Sequence, residues 1–211
     1  MTQKNVAILM FNDVELFNFI GPFEVFSIAS EINEDKPFNV YLVGETLNCI
    51  HSHNGLSINP DFTLLDSPVP DLIIIPGGIG TKAAMNQLQI LAWIQSKGHH
   101  ADLIISVCTG ALLLAKVGLL DGLVATTHHQ ALDQLKALAP QTTVVDNQRF
   151  VDNGKIITAA GISAGIDVSL YVIAKLLGDD KALKTAQYME YDWKPKAKVT
   201  PIPKISNSLG L

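Results

Sequence analysis

The sequence predicts an α/β sandwich on a largely parallel sheet, and two observations carry that expectation. The first is a pair of continuous aliphatic runs, Leu72–Ile75 and Leu103–Val107. Strands that are apolar on both faces belong in the middle of a parallel sheet covered by helices. The second is alternation: segments of helical period lie between the strand-like runs. In Pro22–Ile32, for example, Val25, Ile28, Ala29 and Ile32 recur at i, i+3, i+4 and i+7. Strand and helix in turn along a chain produce an α/β fold with a parallel sheet. The 211 residues read as one domain, with a core over residues 5–190 and a C-terminal arm over 191–211.

In chain order, Val6–Phe11 is the first predicted strand, and the Pro22–Ile32 helix follows it. Phe38–Val43 is the next strand. Residues 48–59 carry the turn His53-Asn54-Gly55 between short alternating segments and read as a hairpin. After the strand at Leu72–Ile75, the pattern predicts one helix over Thr81–Lys97. The strand Leu103–Val107 leads into a helix over Ala111–Lys116 that stops at Gly118, where glycine closes helices readily. Ala131–Leu138 is helical and closed by Pro140. Thr142–Val145 and Arg149–Thr158 read as strands, the second folded at Asp152-Asn153-Gly154. A helical stripe runs from Ile162 to Leu177, Asp180–Met189 forms a last helix, and the proline-bearing tail from Trp193 reads as irregular.

Hydrophobic residues make up 48% of the chain and charged residues 17%, with a mean hydropathy of +0.27. Soluble domains average about 25% charged, so this composition excludes disorder and points to self-association, for which a homodimer is the expectation. The apolar stretch from Leu103 to Ala115 is bounded by Asp102 and Lys116. It is shorter than the ~20 residues of a spanning helix, so no membrane partner is expected. The net charge is −5 and Arg149 is the sole arginine. Without a basic stripe, nucleic acid is not an expected partner either. Met1–Asn5 lacks the apolar region of a signal peptide, and Cys49 and Cys108 are too few for a disulfide framework. The expectation is a cytoplasmic protein with reduced thiols.

The sharpest chemical feature is Ser106-Val107-Cys108-Thr109-Gly110. A buried strand ends, a cysteine follows at once, and a small-residue turn opens a helix, as in a nucleophile elbow. The carboxyl end of a parallel strand is where ligands bind in open α/β sheets. A helix N-terminus there favours thiolate over thiol. A second strand ends in Pro76-Gly77-Gly78-Ile79-Gly80. Its glycines allow close backbone approach, so Gly77 and Gly78, together with Thr109, are candidate oxyanion donors. The run lacks the spacing of a dinucleotide fingerprint.

With Phe19-Ile20-Gly21-Pro22-Phe23-Glu24-Val25-Phe26, Ala125-Thr126-Thr127-His128 and Gly161-Ile162-Ser163-Ala164-Gly165-Ile166-Asp167, these motifs resemble the ThiJ/PfpI family of the class I glutamine-amidotransferase-like superfamily. The likeness is strongest to its isonitrile-hydratase branch and to ligand domains of AraC-type regulators. It implies a three-layer flavodoxin-like sandwich and a homodimer, with Cys108 as the nucleophile. Gly77, Gly78 and Thr109 would line the oxyanion pocket, with His128 near the cysteine. The protease-like branch has histidine directly after the cysteine. Thr109 stands there, so proteolysis is not expected.

The resemblance also places an acid four residues before the proline of Gly-Pro, in the loop after the first strand. Here that position is Asn18. An amide can hydrogen-bond a thiolate, but it cannot act as a general acid or base. Glu15, three residues earlier, reads as a solvated loop carboxylate or as the substitute. His51 and His53 lie two apart and would share a face on a strand, which reads as polar surface rather than half a metal site. His99 and His100 suit a helix C-terminus. His129, beside His128, is expected to point elsewhere than the site, Trp93 and Trp193 to pack, and Asp167 to serve as a helix cap or dipole residue.

The leading expectation is a cysteine-dependent enzyme for a small-molecule substrate. It would be an isonitrile hydratase-like lyase making an N-substituted formamide, with its acid position weakened at Asn18 and with no metal or organic cofactor. The alternative is a catalytically degenerate ligand- or redox-sensing protein of the same family. The chain after residue 190 is too short for a helix-turn-helix domain, so a complete regulator is not expected.

Overall fold

The aliphatic runs become the middle of a sheet in the computed structural model, which describes residues 2–195. In chain order the elements are β1 (Lys4–Leu9), α1 (Leu16–Glu31), β2 (Phe38–Gly44), β3 (Ile50–His51), β4 (Ser57–Ile58), β5 (Phe62–Thr63), β6 (Leu72–Ile75), α2 (Thr81–Ala84), α3 (Leu88–His100), β7 (Leu103–Val107) and α4 (Gly110–Lys116). There follow β8 (Val124–Ala125), a 3-10 turn (His129–Ala131), α5 (Leu132–Leu138), β9 (Thr143–Val144), β10 (Phe150–Asp152), β11 (Ile156–Ala159), α6 (Ala164–Leu177) and α7 (Asp179–Tyr188).

The main sheet has seven strands in the order β10-β11-β7-β6-β1-β2-β5. All its pairings are parallel except β10 with β11, the hairpin turned by Asp152-Asn153-Gly154. Val6 stands opposite Leu72, Ile73 opposite Ile104 and Ile105 opposite Ile157. Helices cover both faces. Ile104 reaches the α3 face at Gly98, whereas Val107 reaches the α6 face at Gly165, as the twofold alternation of a strand requires. α1, α6 and α7 pack together, and α4 packs with α2, α3 and α5. The result is an α/β sandwich of flavodoxin-like type. Leu72 to Ile75 and Ile105 are fully buried in it.

Several boundaries differ from the sequence expectation. α1 starts at Leu16 rather than at Pro22, which lies inside it. Backbone bonds from Asp13 N–H to His51 O and from Glu15 N–H to Gly77 O fix the preceding loop, and the chain turns into a helix directly afterwards. Pro22 is tolerated there because its ring packs against Gly165 of α6, although it removes one helical donor. Asn18 therefore sits in the first turn of a helix, not in a loop. The single helix expected over Thr81–Lys97 is two, α2 and α3. The Asn86 side chain donates to Lys82 O at 3.0 Å, and Gln87 takes an extended conformation. Local side-chain bonding of this kind competes with helix continuation.

Two strands were not foreseen. β5 is the sheet edge, and β8 pairs in parallel with β9 outside the main sheet. Of the irregular arm expected over 191–211, Tyr191 and Trp193 pack against the core, and residues 196–211 lie outside the described residues.

Candidate functional site

β6 and β7 are neighbours, so the turns that leave their carboxyl ends meet. A Cβ on Gly110 would overlap the carbonyl oxygen of Ile75, and one on Gly77 would overlap the backbone nitrogen and hydroxyl of Thr109. Glycine is required at both places because backbone approaches backbone. Thr109 ties the two turns further. Its Oγ1 accepts the Gly78 N–H at 2.9 Å and lies 2.9 Å from Thr81 Oγ1.

Cys108 occupies the left-handed region, at φ +58. A side chain is held in such a conformation only when the surroundings over-determine it. Here the Cys108 N–H reaches Ala160 O at 2.9 Å and Ala159 O at 3.1 Å, at the end of β11. Its carbonyl accepts from Thr127 Oγ1 at 2.7 Å. Cys108 is 6% exposed, whereas Cys49 is exposed and lies away on the β3 side.

Cys108 lines a cavity of about 370 Å³. Glu15, His53, Gly78, Lys82, Thr109 and His128 supply its polar wall, and Met85, Leu112 and Ile162 supply apolar wall. His53 is in the hairpin turn rather than beside His51 on a strand, so the two do not form a shared face. Among the described residues no group of three potential metal ligands converges.

The three expected oxyanion donors differ. The N–H of Gly78 is taken by Thr109 Oγ1. The N–H groups of Gly77 and Thr109 donate to no other described residue, but only Thr109 lines the cavity; Gly77 lies behind it, packed against the Thr109 backbone, and is not a pocket donor. Asn18 is fully buried, and among the described residues neither its Oδ1 nor its Nδ2 has a hydrogen-bond partner. It makes no bond to the Cys108 thiol and does not line the cavity, whereas Glu15 does.

His128 precedes the 3-10 turn, and its Nδ1 accepts the Gln130 N–H at 3.3 Å. In the neutral ring the hydrogen is then on Nε2. The ring packs over Gly161, where a Cβ would collide with it. Burial pushes the His128 imidazole below its ordinary pKa, and His129 adds to the effect. The His129 ring centroid lies 4.3 Å from that of His128, and of the two only His128 lines the cavity, as expected.

Behind the Ile162 wall, Arg149 Nη2 donates to Ser163 Oγ at 2.9 Å and Arg149 Nε to Asp167 Oδ2 at 2.5 Å. Asp167 also accepts from Tyr191 OH at 3.0 Å. Asp167 thus pairs with the sole arginine as well as sitting in the first turn of α6. Trp93 is buried as expected, and His99 and His100 end α3. Thr127 and Ile162 stand within sequence motifs, but no pattern in the sequence marks their contacts. A bond from a hydroxyl to a backbone carbonyl leaves no compositional signal.

Residues 4–175 match the DJ-1/PfpI family. The isonitrile hydratase of Pseudomonas putida is 35% identical over 186 residues, covering 88% of this chain and 78% of that protein. The HTH-type transcriptional regulator CdhR of Pseudomonas aeruginosa is 26% identical over 179 residues. The match covers 85% of this chain and 52% of the regulator, so the chain spans about half its length. A ThiJ/PfpI family protein from Pseudomonas syringae superposes with a TM-score of 0.83 at 30% identity, covering 93% of this chain and 78% of that one.

The His128 environment has a measurable consequence. With its folded pKa lowered, the folded protein takes up this proton at lower pH than the unfolded chain. The His128 contribution therefore works against the fold as pH falls below about 6.5, and levels off once pH passes the folded pKa. An NMR titration should give a His128 midpoint below that of unperturbed histidine, and His129→Ala should move it upward. A midpoint at or above the unperturbed value contradicts the buried, Nε2-protonated ring.

Proposed function

Since the chain belongs to the DJ-1/PfpI family, we propose that it is a cysteine-dependent enzyme acting on a small electrophilic carbon, namely the terminal carbon of an isonitrile. The observation that carries this reading is Cys108 itself, held at φ +58 on the wall of a cavity beside the Thr109 N–H, which donates to no other described residue. Similarity to the Pseudomonas putida isonitrile hydratase supports the choice of substrate.

In the first step the Cys108 sulfur adds to the isonitrile carbon. An S–C bond forms, and the carbon takes a proton to give a thioimidate. Water then adds to the same carbon, the C–S bond breaks, and the thiol is restored. The product is an N-substituted formamide, and no redox change occurs. The oxygen brought by water faces the N–H of Thr109, which stabilises charge developing on it. Asn18 cannot move the proton. Glu15 lines the cavity and is the carboxylate assigned to that task, while the Nε2–H of His128 is a hydrogen-bond donor to substrate.

The fully buried, unpartnered Asn18 amide favours a second reading, a ligand- or redox-sensing protein with a degenerate site. Formamide production from a simple alkyl isonitrile separates the two. We expect turnover by the wild type, none by Cys108→Ala, a loss of about 10²–10⁴-fold in Glu15→Gln, and no gain in Asn18→Asp, since a positioned acid or base contributes that much and only Glu15 lines the cavity. A slow wild type accelerated by Asn18→Asp and unchanged by Glu15→Gln moves the proton to position 18 and overturns the role of Glu15. Absence of turnover in every variant rejects the hydratase and favours the sensor. The same reading includes a cytoplasmic homodimer, for which light scattering should give a mass near twice 22.8 kDa. A monomer removes the dimer.

A further inference from the structure

We propose that Thr127 is a positioning residue that aims the N–H of Thr109 into the cavity by holding the carbonyl of Cys108. The proposal rests on Cys108 being the nucleophile, not on an isonitrile being its substrate. The Cys108 carbonyl and the Thr109 N–H belong to one peptide group. That group is planar and trans, so its C=O and N–H point in opposite directions. Whatever grips the carbonyl therefore sets the direction of the N–H. The grip is the Thr127 hydroxyl, 2.7 Å from the carbonyl oxygen, with Thr127 itself 2% exposed. The next contender for that oxygen, Ala111 N–H at 3.4 Å, is long.

At the other end of the peptide plane, the Thr109 N–H donates to no other described residue. Its nitrogen is packed so close to Gly77 that a Cβ there would overlap it. It is thus a free donor beside the Cys108 side chain, held by a bond on the far side of its own peptide. Thr127 is itself anchored. The N–H of Thr126 donates to Thr158 Oγ1 at 2.9 Å, and Thr158 stands in β11 opposite Ser106 of β7. β11 also accepts the Cys108 N–H through Ala159. One strand therefore fixes the elbow twice, directly at the nitrogen of Cys108 and through residues 126 and 127 at its carbonyl.

Aim differs from mere stability in what it affects. A small aldehyde such as propionaldehyde adds to the thiol: an S–C bond forms, the carbonyl π bond breaks, and the oxygen takes the thiol proton. The adduct oxygen draws on the Thr109 N–H. Iodoacetamide instead loses iodide as the sulfur takes its carbon, and no oxygen acceptor forms on the reacting carbon. The test measures propionaldehyde affinity as protection of Cys108 from iodoacetamide, with peptide mapping, for wild type, Thr127→Val and Thr127→Ser.

A hydrogen bond to a neutral oxygen is worth about 5-fold in an equilibrium, so losing its aim should weaken the aldehyde roughly 5-fold. The unprotected alkylation rate should stay within about twofold, and Thr127→Ser should restore aldehyde affinity. Thr127→Ala replaces the valine variant if that one does not fold. Unchanged aldehyde affinity in Thr127→Val overturns the proposal. So does a parallel fall in affinity and alkylation, which marks a collapsed elbow, and so does a wild type that forms no adduct. Adduct formation without isonitrile turnover leaves Thr127 in place and rejects only the hydratase.

Discussion

The site depends on a backbone-to-backbone contact between two turns. Gly110 lies against the carbonyl of Ile75, and Gly77 lies against Thr109. Neither approach leaves room for a Cβ, and extra bulk in a packed interior costs about 1–3 kcal/mol. The contact follows from the sheet. β6 and β7 are paired in parallel with Ile75 opposite Ser106, so the turns after them emerge side by side. Because the turns touch, Cys108, Thr109, Gly77 and Gly78 form one rigid edge. The positive φ of Cys108 is supported by this contact, by the end of β11 and by Thr127.

Around that edge the structure separates rigidity from chemistry. The hydroxyls of Thr81, Thr109 and Thr127 are spent on the turns, while Glu15, His53, Lys82 and His128 face the cavity. Asn18 fits neither group. Its amide is buried with both ends unpaired, and each unmet polar atom costs about 1–3 kcal/mol. Violations of this sort concentrate where a fold serves function. Here it sits one turn into α1, directly after the loop that carries Glu15 into the cavity.

The sheet was legible in the sequence because its central strands are apolar on both faces, and Leu72–Ile75 and Leu103–Val107 have the same bounds in both readings. The two-residue strands β5 and β8 were not, since so short a run has no period. The start of α1 was hidden because Pro22 is a helix-start signal in sequence, and only the fit of its ring against Gly165 shows why it is tolerated inside. At the candidate site, Cys108 and the glycine turn stood out because strand–turn–helix punctuation is local. The engagement of Gly78 by Thr109, the grip of Thr127 on Cys108 and the ring of His129 against His128 join separate segments or depend on side-chain direction, which spacing does not encode.

We propose that this interlocked edge presents Cys108 as a covalent nucleophile to a small electrophilic carbon. Rapid acid quench of the protein mixed with excess alkyl isonitrile, followed by intact mass and peptide mapping, tests it most directly. The account predicts a gain equal to the mass of one isonitrile, on the peptide containing Cys108 and absent from Cys108→Ala. Product formation with no adduct at any quench time, or an adduct mapped to Cys49, would contradict it.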